Sequence, residues 1–142
     1  MAKTNISEFM IENPVCVNPA MNVYEAAHEI LTNQVSGVTV IDENGKLVGM
    51  LSELDCLQAI VTGVYNGADP GGALVSDIMT AEVEVNDPED EILAVAKSML
   101  DHKHRRRPVV KDGVLQGQLT CRQILKAVTD FADENHAEDL KS

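Results

Sequence analysis

Apolar positions along the chain follow one rhythm, and the rhythm occurs twice. Val23, Ala26, Ala27, Ile30 and Leu31 stand at i, i+3, i+4, i+7 and i+8, a single stripe of an amphipathic helix. Ile92, Val95, Ala96, Met99 and Leu100 repeat that stripe. Pro19 and Pro88 precede the two helices and hold the incoming chain extended. A short apolar strand is predicted next, over 38–41 and over 108–110. Then come the turns Asp42-Glu-Asn-Gly45 and Lys111-Asp-Gly113, whose glycines supply the positive φ of a tight hairpin. Returning strands are predicted over 47–51 and 114–119. A second helix follows Ser52 and Thr120, with Leu54, Leu57, Val61 and Val64, or Ile124, Leu125, Val128 and Phe131, expected to face inward. The order is β-α-β-β-α, given twice, which defines a mixed α/β (α+β) chain.

The two halves also match residue by residue. Ile6–Met10 lies over Val75–Met79 at a shift of 69, and Val40-Ile41 lies over Val109-Val110. Val15-Cys-Val17-Asn18 aligns with Val83-Glu-Val85-Asn86, and Pro19 with Pro88. With one residue dropped in the turn, Gly45-x-Leu47-x-Gly49-x-Leu51-Ser52 lies over Gly113-x-Leu115-x-Gly117-x-Leu119-Thr120. Asn66-Gly-Ala-Asp-Pro-Gly-Gly72 separates the halves as a linker. Each half offers a thin core, so the two are expected to pack as one body.

Composition narrows the class. The 142 residues are 44% hydrophobic, enough to bury a core, and apolar runs of only a few residues exclude a membrane-spanning helix. The first residues, MAKTNISEFMIENP, form no secretory signal. Cys16, Cys56 and Cys121 make no Cys-x-x-Cys pair and read as buried free thiols in a reducing, cytoplasmic setting. The net charge of −12 argues against nucleic acid as a partner. Eight of the eleven Lys and Arg nevertheless lie between Lys97 and Lys126, and His102 to Arg107 is an unbroken basic run. That run serves either as a solvated loop or as the holder of a small anion. Five acids against Lys141 mark an acidic tail from Asp130 onward, expected to fray beyond the last helix.

The proline before an amphipathic helix, followed by Gly-x-Leu-x-Gly-x-Leu-[Ser/Thr] opening another helix, resembles the cystathionine-β-synthase (CBS) domain. The resemblance runs from about Ile6 to Val128 and occurs as a tandem pair, like a stand-alone CBS-pair protein. It implies a first CBS domain over 6–65, a linker over 66–74, a second CBS domain over 75–131 and a tail over 132–142. It further implies two repeats packed as one pseudo-two-fold module, with clefts between them that take adenine nucleotides or other adenosyl ligands. Such modules often dimerise.

Candidate binding residues follow from the motifs. Ser52 and Asp55 open a helix, where unpaired backbone N–H groups and the helix dipole suit a phosphate. The Asp55 carboxylate can take both hydroxyls of a ribose, a role that the resemblance implies for Ser/Thr-x-x-Asp. The same spacing is also a plain capping box. In the second half Thr120 keeps the hydroxyl while Gln123 replaces the acid, so its ribose contact is expected to be weaker. Arg105 and Arg106 match the places where related modules meet phosphate; their counterparts Ser36 and Gly37 carry no charge. By alignment with the family, Val15, Cys16, Val17 and Val38, with Pro108, border the adenine slot, although each also reads as ordinary core. Val48 and Met50 make the first returning strand apolar on both faces, where Gln116 and Gln118 stand in the second, so it is expected to be covered on both sides, by the other repeat or by a partner subunit.

His28, His102, His104 and His136 form no metal-ligand spacing, and no nucleophile elbow, P-loop or dinucleotide fingerprint occurs. The expectation is therefore no enzyme, no metal and no obligatory cofactor. The sequence reads as a regulatory module sensing AMP, ADP, ATP or a similar adenosyl ligand, a homodimer that acts on an unidentified protein. The alternative is a ligand-free dimerisation or interaction module.

Overall fold

A computed structural model describes residues 5–67 and 72–141. Residues 68–71 of the predicted linker lie outside the described residues, as do the side chains of Phe131 and of residues 133–141. The chain divides into two compact units. One, the Asp55 unit, comprises Pro14–Val83 and Asp112–Leu115. The other, the Arg107 unit, comprises Met1–Asn13, Glu84–Lys111 and Gln116–Ser142.

In the Asp55 unit, strands β2 (Cys16–Val17), β3 (Gly37–Ile41) and β4 (Leu47–Ser52) form a sheet in that order. β2 runs parallel to β3, with Cys16 opposite Thr39 and Val17 opposite Val40. β4 returns antiparallel, with Gly37 opposite Ser52. Helices α1 (Val23–Thr32) and α2 (Glu53–Tyr65) pack together, and a short helix α3 (Val75–Ile78) adds Val75 to the core. Asn22 starts α1, its Oδ1 accepting the Glu25 N–H at 2.9 Å. Val17, Val23, Ile30, Val38, Val40 and Leu51 are buried together at the centre.

β1 (Ile11–Glu12), β6 (Val114–Thr120) and β5 (Arg106–Lys111) form the second sheet, which lies in the Arg107 unit except for the first two residues of β6. Helices α4 (Ile92–His102) and α5 (Cys121–Lys141) pack together in this unit. Ile6, Ile92, Val95, Met99, Val109 and Leu119 make its core. The leading strand of the second repeat is reduced to a single parallel bridge, Asn86 opposite Val109. With Val17 opposite Val40 in the other unit, that bridge sets the shift at 69 here too. Val17 therefore corresponds to Asn86, not to Val85 as in the sequence alignment, and Val38 corresponds to Arg107.

The compact units cross the sequence repeats. Residues up to Asn13 pack in the Arg107 unit, and residues 74–83 pack in the Asp55 unit. The exchange is matched bond for bond. The Ser76 N–H donates to the Pro19 carbonyl at 3.0 Å, and the Ser7 N–H donates to the Pro88 carbonyl at 3.1 Å. Thr80 then pairs with Met50 on β4, as Ile11 pairs with Gln118 on β6. This segment lies along the edge of β4. Its close approach explains Gly49 and Gly117, which sequence reading left without a role: a Cβ there would stand 2.8 Å from the Thr80 carbonyl oxygen and 2.7 Å from that of Ile11.

Three expectations need correction. Leu54, Leu57, Val61, Val64 and Leu125 are exposed, while Cys56 and Ala127 carry the buried sides of α2 and α5. Helix α5 continues to Lys141, because no glycine or proline stops it within the predicted tail. Of the thiols only Cys56 is buried; Cys16 is half-buried and Cys121 exposed. Among the described residues no helix is long and apolar enough to cross a membrane.

Candidate functional site

The turn from β4 into α2 carries the first candidate pair. The Ser52 Oγ accepts the Asp55 N–H at 3.0 Å, and Asp55 Oδ2 accepts the Ser52 N–H at 2.9 Å. This is a complete capping box. Both residues remain half-buried, and a carboxylate has about four lone-pair sites on its two oxygens, so capping leaves Asp55 with acceptor capacity. The Glu53 N–H donates to the Ser36 carbonyl at 2.9 Å, fixing the start of α2 against the residue before β3. Behind the turn, burial and then the Asp55 charge push the Cys56 thiol up from its ordinary pKa.

Cys16, Thr39 and Met50 form one row across the sheet, two residues in from the Gly37–Ser52 row. The Cys16 Sγ lies 3.1 Å from the Pro14 carbonyl oxygen and 3.1 Å from the Thr39 Oγ1. Val15 and Cys16 are half-buried and retain surface. Val17 and Val38 are 2% and 0% exposed and belong to the core of this unit.

The equivalent turn from β6 into α5 is built differently. The Cys121 N–H donates to the Arg105 carbonyl at 2.9 Å, the counterpart of the Glu53–Ser36 bond. Arg105 thus stands beside Thr120 and the start of a 21-residue helix, its side chain exposed. Gln123 Oε1 accepts both the Thr120 N–H and the Thr120 hydroxyl. An amide occupied in this way is a poor second receptor for a ribose. Arg106 is half-buried at the start of β5, and Pro108 is buried within it.

Arg107 is the residue that sequence reading missed. It is 1% exposed and donates to His104, Asn86 and Ser98. The signal available was register, since Arg107 occupies the position of Val38 in a strand covered on both faces. Among the described residues no cluster of His, Cys, Asp or Glu could hold a metal ion.

A protein-family model described as CBS domain matches residues 6–62 and 75–130. An inosine-5'-monophosphate dehydrogenase from Nitrosopumilus maritimus is 35% identical over 135 residues, 93% of this chain and 25% of that enzyme. The chain spans less than half the length of curated relatives such as this one. The crystal structure of Arabidopsis thaliana CBSX2 in complex with AMP matches with a TM-score of 0.79 at 30% identity, over 90% of this chain and 98% of that one. The CBS domain pair of protein MJ0100, in complex with 5'-methylthioadenosine and S-adenosyl-L-methionine, shares the fold at 22% identity and a TM-score of 0.76, over 91% and 98% of the two chains.

Proposed function

Because the chain belongs to the family of CBS-domain proteins and carries the domain twice, we propose that it is a regulatory module that binds AMP, ADP, ATP or another adenosyl ligand. The carrying observation is the β4–α2 turn, where a half-buried hydroxyl and carboxylate flank the start of a helix. Backbone N–H groups there suit a phosphate, and Asp55 suits ribose hydroxyls. The AMP-bound state of CBSX2 supports the ligand class. Arg105, Arg106 and Thr120 give the Arg107 unit an anion-binding turn of its own. Binding shifts the shape or assembly of the module and thereby acts on an unidentified protein. The thiols, none in a disulfide among the described residues, suit a reducing compartment such as the cytoplasm.

Titration calorimetry with adenosine, AMP, ADP, ATP and S-adenosylmethionine tests this reading. Asp55→Ala should lose a charge-assisted contact of about 1.5–3 kcal/mol, roughly tenfold or more in affinity. Arg106→Ala should weaken ADP and ATP more than adenosine. Wild-type protein that binds no adenosyl compound at millimolar concentration would overturn the proposal and leave the ligand-free interaction module standing. One observation favours an assembly role in either case: in the Asp55 unit Leu31 is 73% exposed beside the exposed Leu54 and Leu57, and in the Arg107 unit Leu100 is 78% exposed beside the exposed Leu125. These rows fit a homodimer face. Light scattering that finds only monomer at micromolar concentration would count against it.

A further inference from the structure

The guanidinium of Arg107 is held in an unusual way. Its Nε donates to His104 Nδ1 at 3.2 Å, Nη1 to Asn86 Oδ1 at 3.0 Å and Nη2 to Ser98 Oγ at 3.1 Å. All three acceptors are neutral groups, although a buried cation is ordinarily matched by a carboxylate. Asp90 reaches the network only through Asn86, whose Nδ2 donates to Asp90 Oδ2 at 2.9 Å. A histidine nitrogen accepts a hydrogen bond only while it carries no proton. The Arg107 bond therefore requires a neutral His104 with its proton on Nε2.

We infer that His104 is a proton-operated latch on Arg107, which when neutral ties β5 to the end of α4 and when protonated lets go. Protonation would replace the acceptor with a donor and set a second positive charge against the buried guanidinium. Other groups around the latch act in both directions. From α4, His102 places its ring centroid 5.3 Å from that of His104 while its Nδ1 donates to the Ser98 carbonyl. Lys97 on the same helix is paired with Asp101 at 3.0 Å. From α5, the Cys121 Sγ lies 3.8 Å from the His104 carbonyl oxygen. Removal from water first, then the Arg107 and His102 charges, hold His104 below the usual imidazole range, and Glu84 opposes them. The folded state thus takes up this proton less readily than the unfolded chain. Its contribution to stability is complete above a pH of about 6.5 and is lost as the pH falls from there toward the folded value.

The consequence extends to the adjoining turn, because the residue after His104 supplies the carbonyl that fixes the start of α5. Two measurements on the full chain test the latch. Nitrogen-15 spectra of the histidines at pH 7.5 should show His104 protonated at Nε2 alone, with a titration midpoint below the free-histidine range. An Nδ1-protonated ring, or an ordinary midpoint, would overturn the inference whether or not any variant folds. In thermal melts between pH 7 and 5, His104→Gln, which keeps a neutral acceptor and cannot take a proton, should remove roughly half or more of the wild-type fall in midpoint. His102→Gln should retain that fall. A His104→Gln midpoint that drops as steeply as wild type would overturn the latch as well.

Discussion

The two units solve one packing problem in opposite ways. At the same register the Asp55 unit buries Val17 and Val38, and the Arg107 unit buries Arg107 beside a half-buried Asn86. Around them the replacements are concerted. His104 stands where Val35 packs against the apolar core, and Ser98 stands where the other unit has Glu29. The lesson is that this strand position demands filled volume and satisfied polarity rather than hydrophobicity as such. An arginine is tolerated because its acceptors arrive with it, from three different segments. A second contrast lies at the helix starts: a carboxylate closes the Ser52 box, and an uncharged amide closes the Thr120 turn.

The largest effect should come from the polar core. Arg107→Ala removes a large buried side chain and strands Asn86 and Ser98, and should cost about 3–5 kcal/mol in chemical denaturation. Arg107→Val with Asn86→Val recreates the arrangement of Val17 and Val38, and should be less damaging than Arg107→Ala alone. If Arg107→Ala costs under about 1 kcal/mol, the network contributes nothing to stability and the contrast dissolves.

Next come the glycines, where the units should behave alike. Gly49→Ala and Gly117→Ala each push a methyl group into a backbone carbonyl and a methionine, at about 1–3 kcal/mol. Neutral behaviour at either glycine, measured by thermal denaturation, would mean that the exchanged segment is not pinned there.

The smallest stability change should follow Gln123→Asp, which converts the Thr120 turn into the Ser52 kind. Both residues cap, so the melting midpoint should shift by less than the equivalent of about 1 kcal/mol. Affinity for AMP should rise, or a second binding event should appear in calorimetry. No change in binding would show that the acid is not what separates the two turns.

Local pattern carried much of this architecture. The stripes beginning at Val23 and Ile92 did become α1 and α4, the hairpins turned at Gly45 and Gly113, and hydroxyl residues closed β4 and β6. These features act over a few residues, through helix period, strand pleat and backbone dihedrals, so each leaves a trace in the order of the side chains. Ser52 and Asp55 were legible for the same reason, being neighbours in one turn. The outward rows of Leu54, Leu57 and Leu125 were not, because a helix period identifies an apolar stripe without saying whether core or solvent lies beyond it. Nor could the exchange of residues 5–13 and 74–83 be read, since a strand edge specifies a hydrogen-bond partner by geometry and not by sequence. Arg107 is the clearest case. Within its own strand it is one more cation in a basic run, and only the fold brings Asn86, Ser98 and His104 to its nitrogens and turns a surface residue type into core.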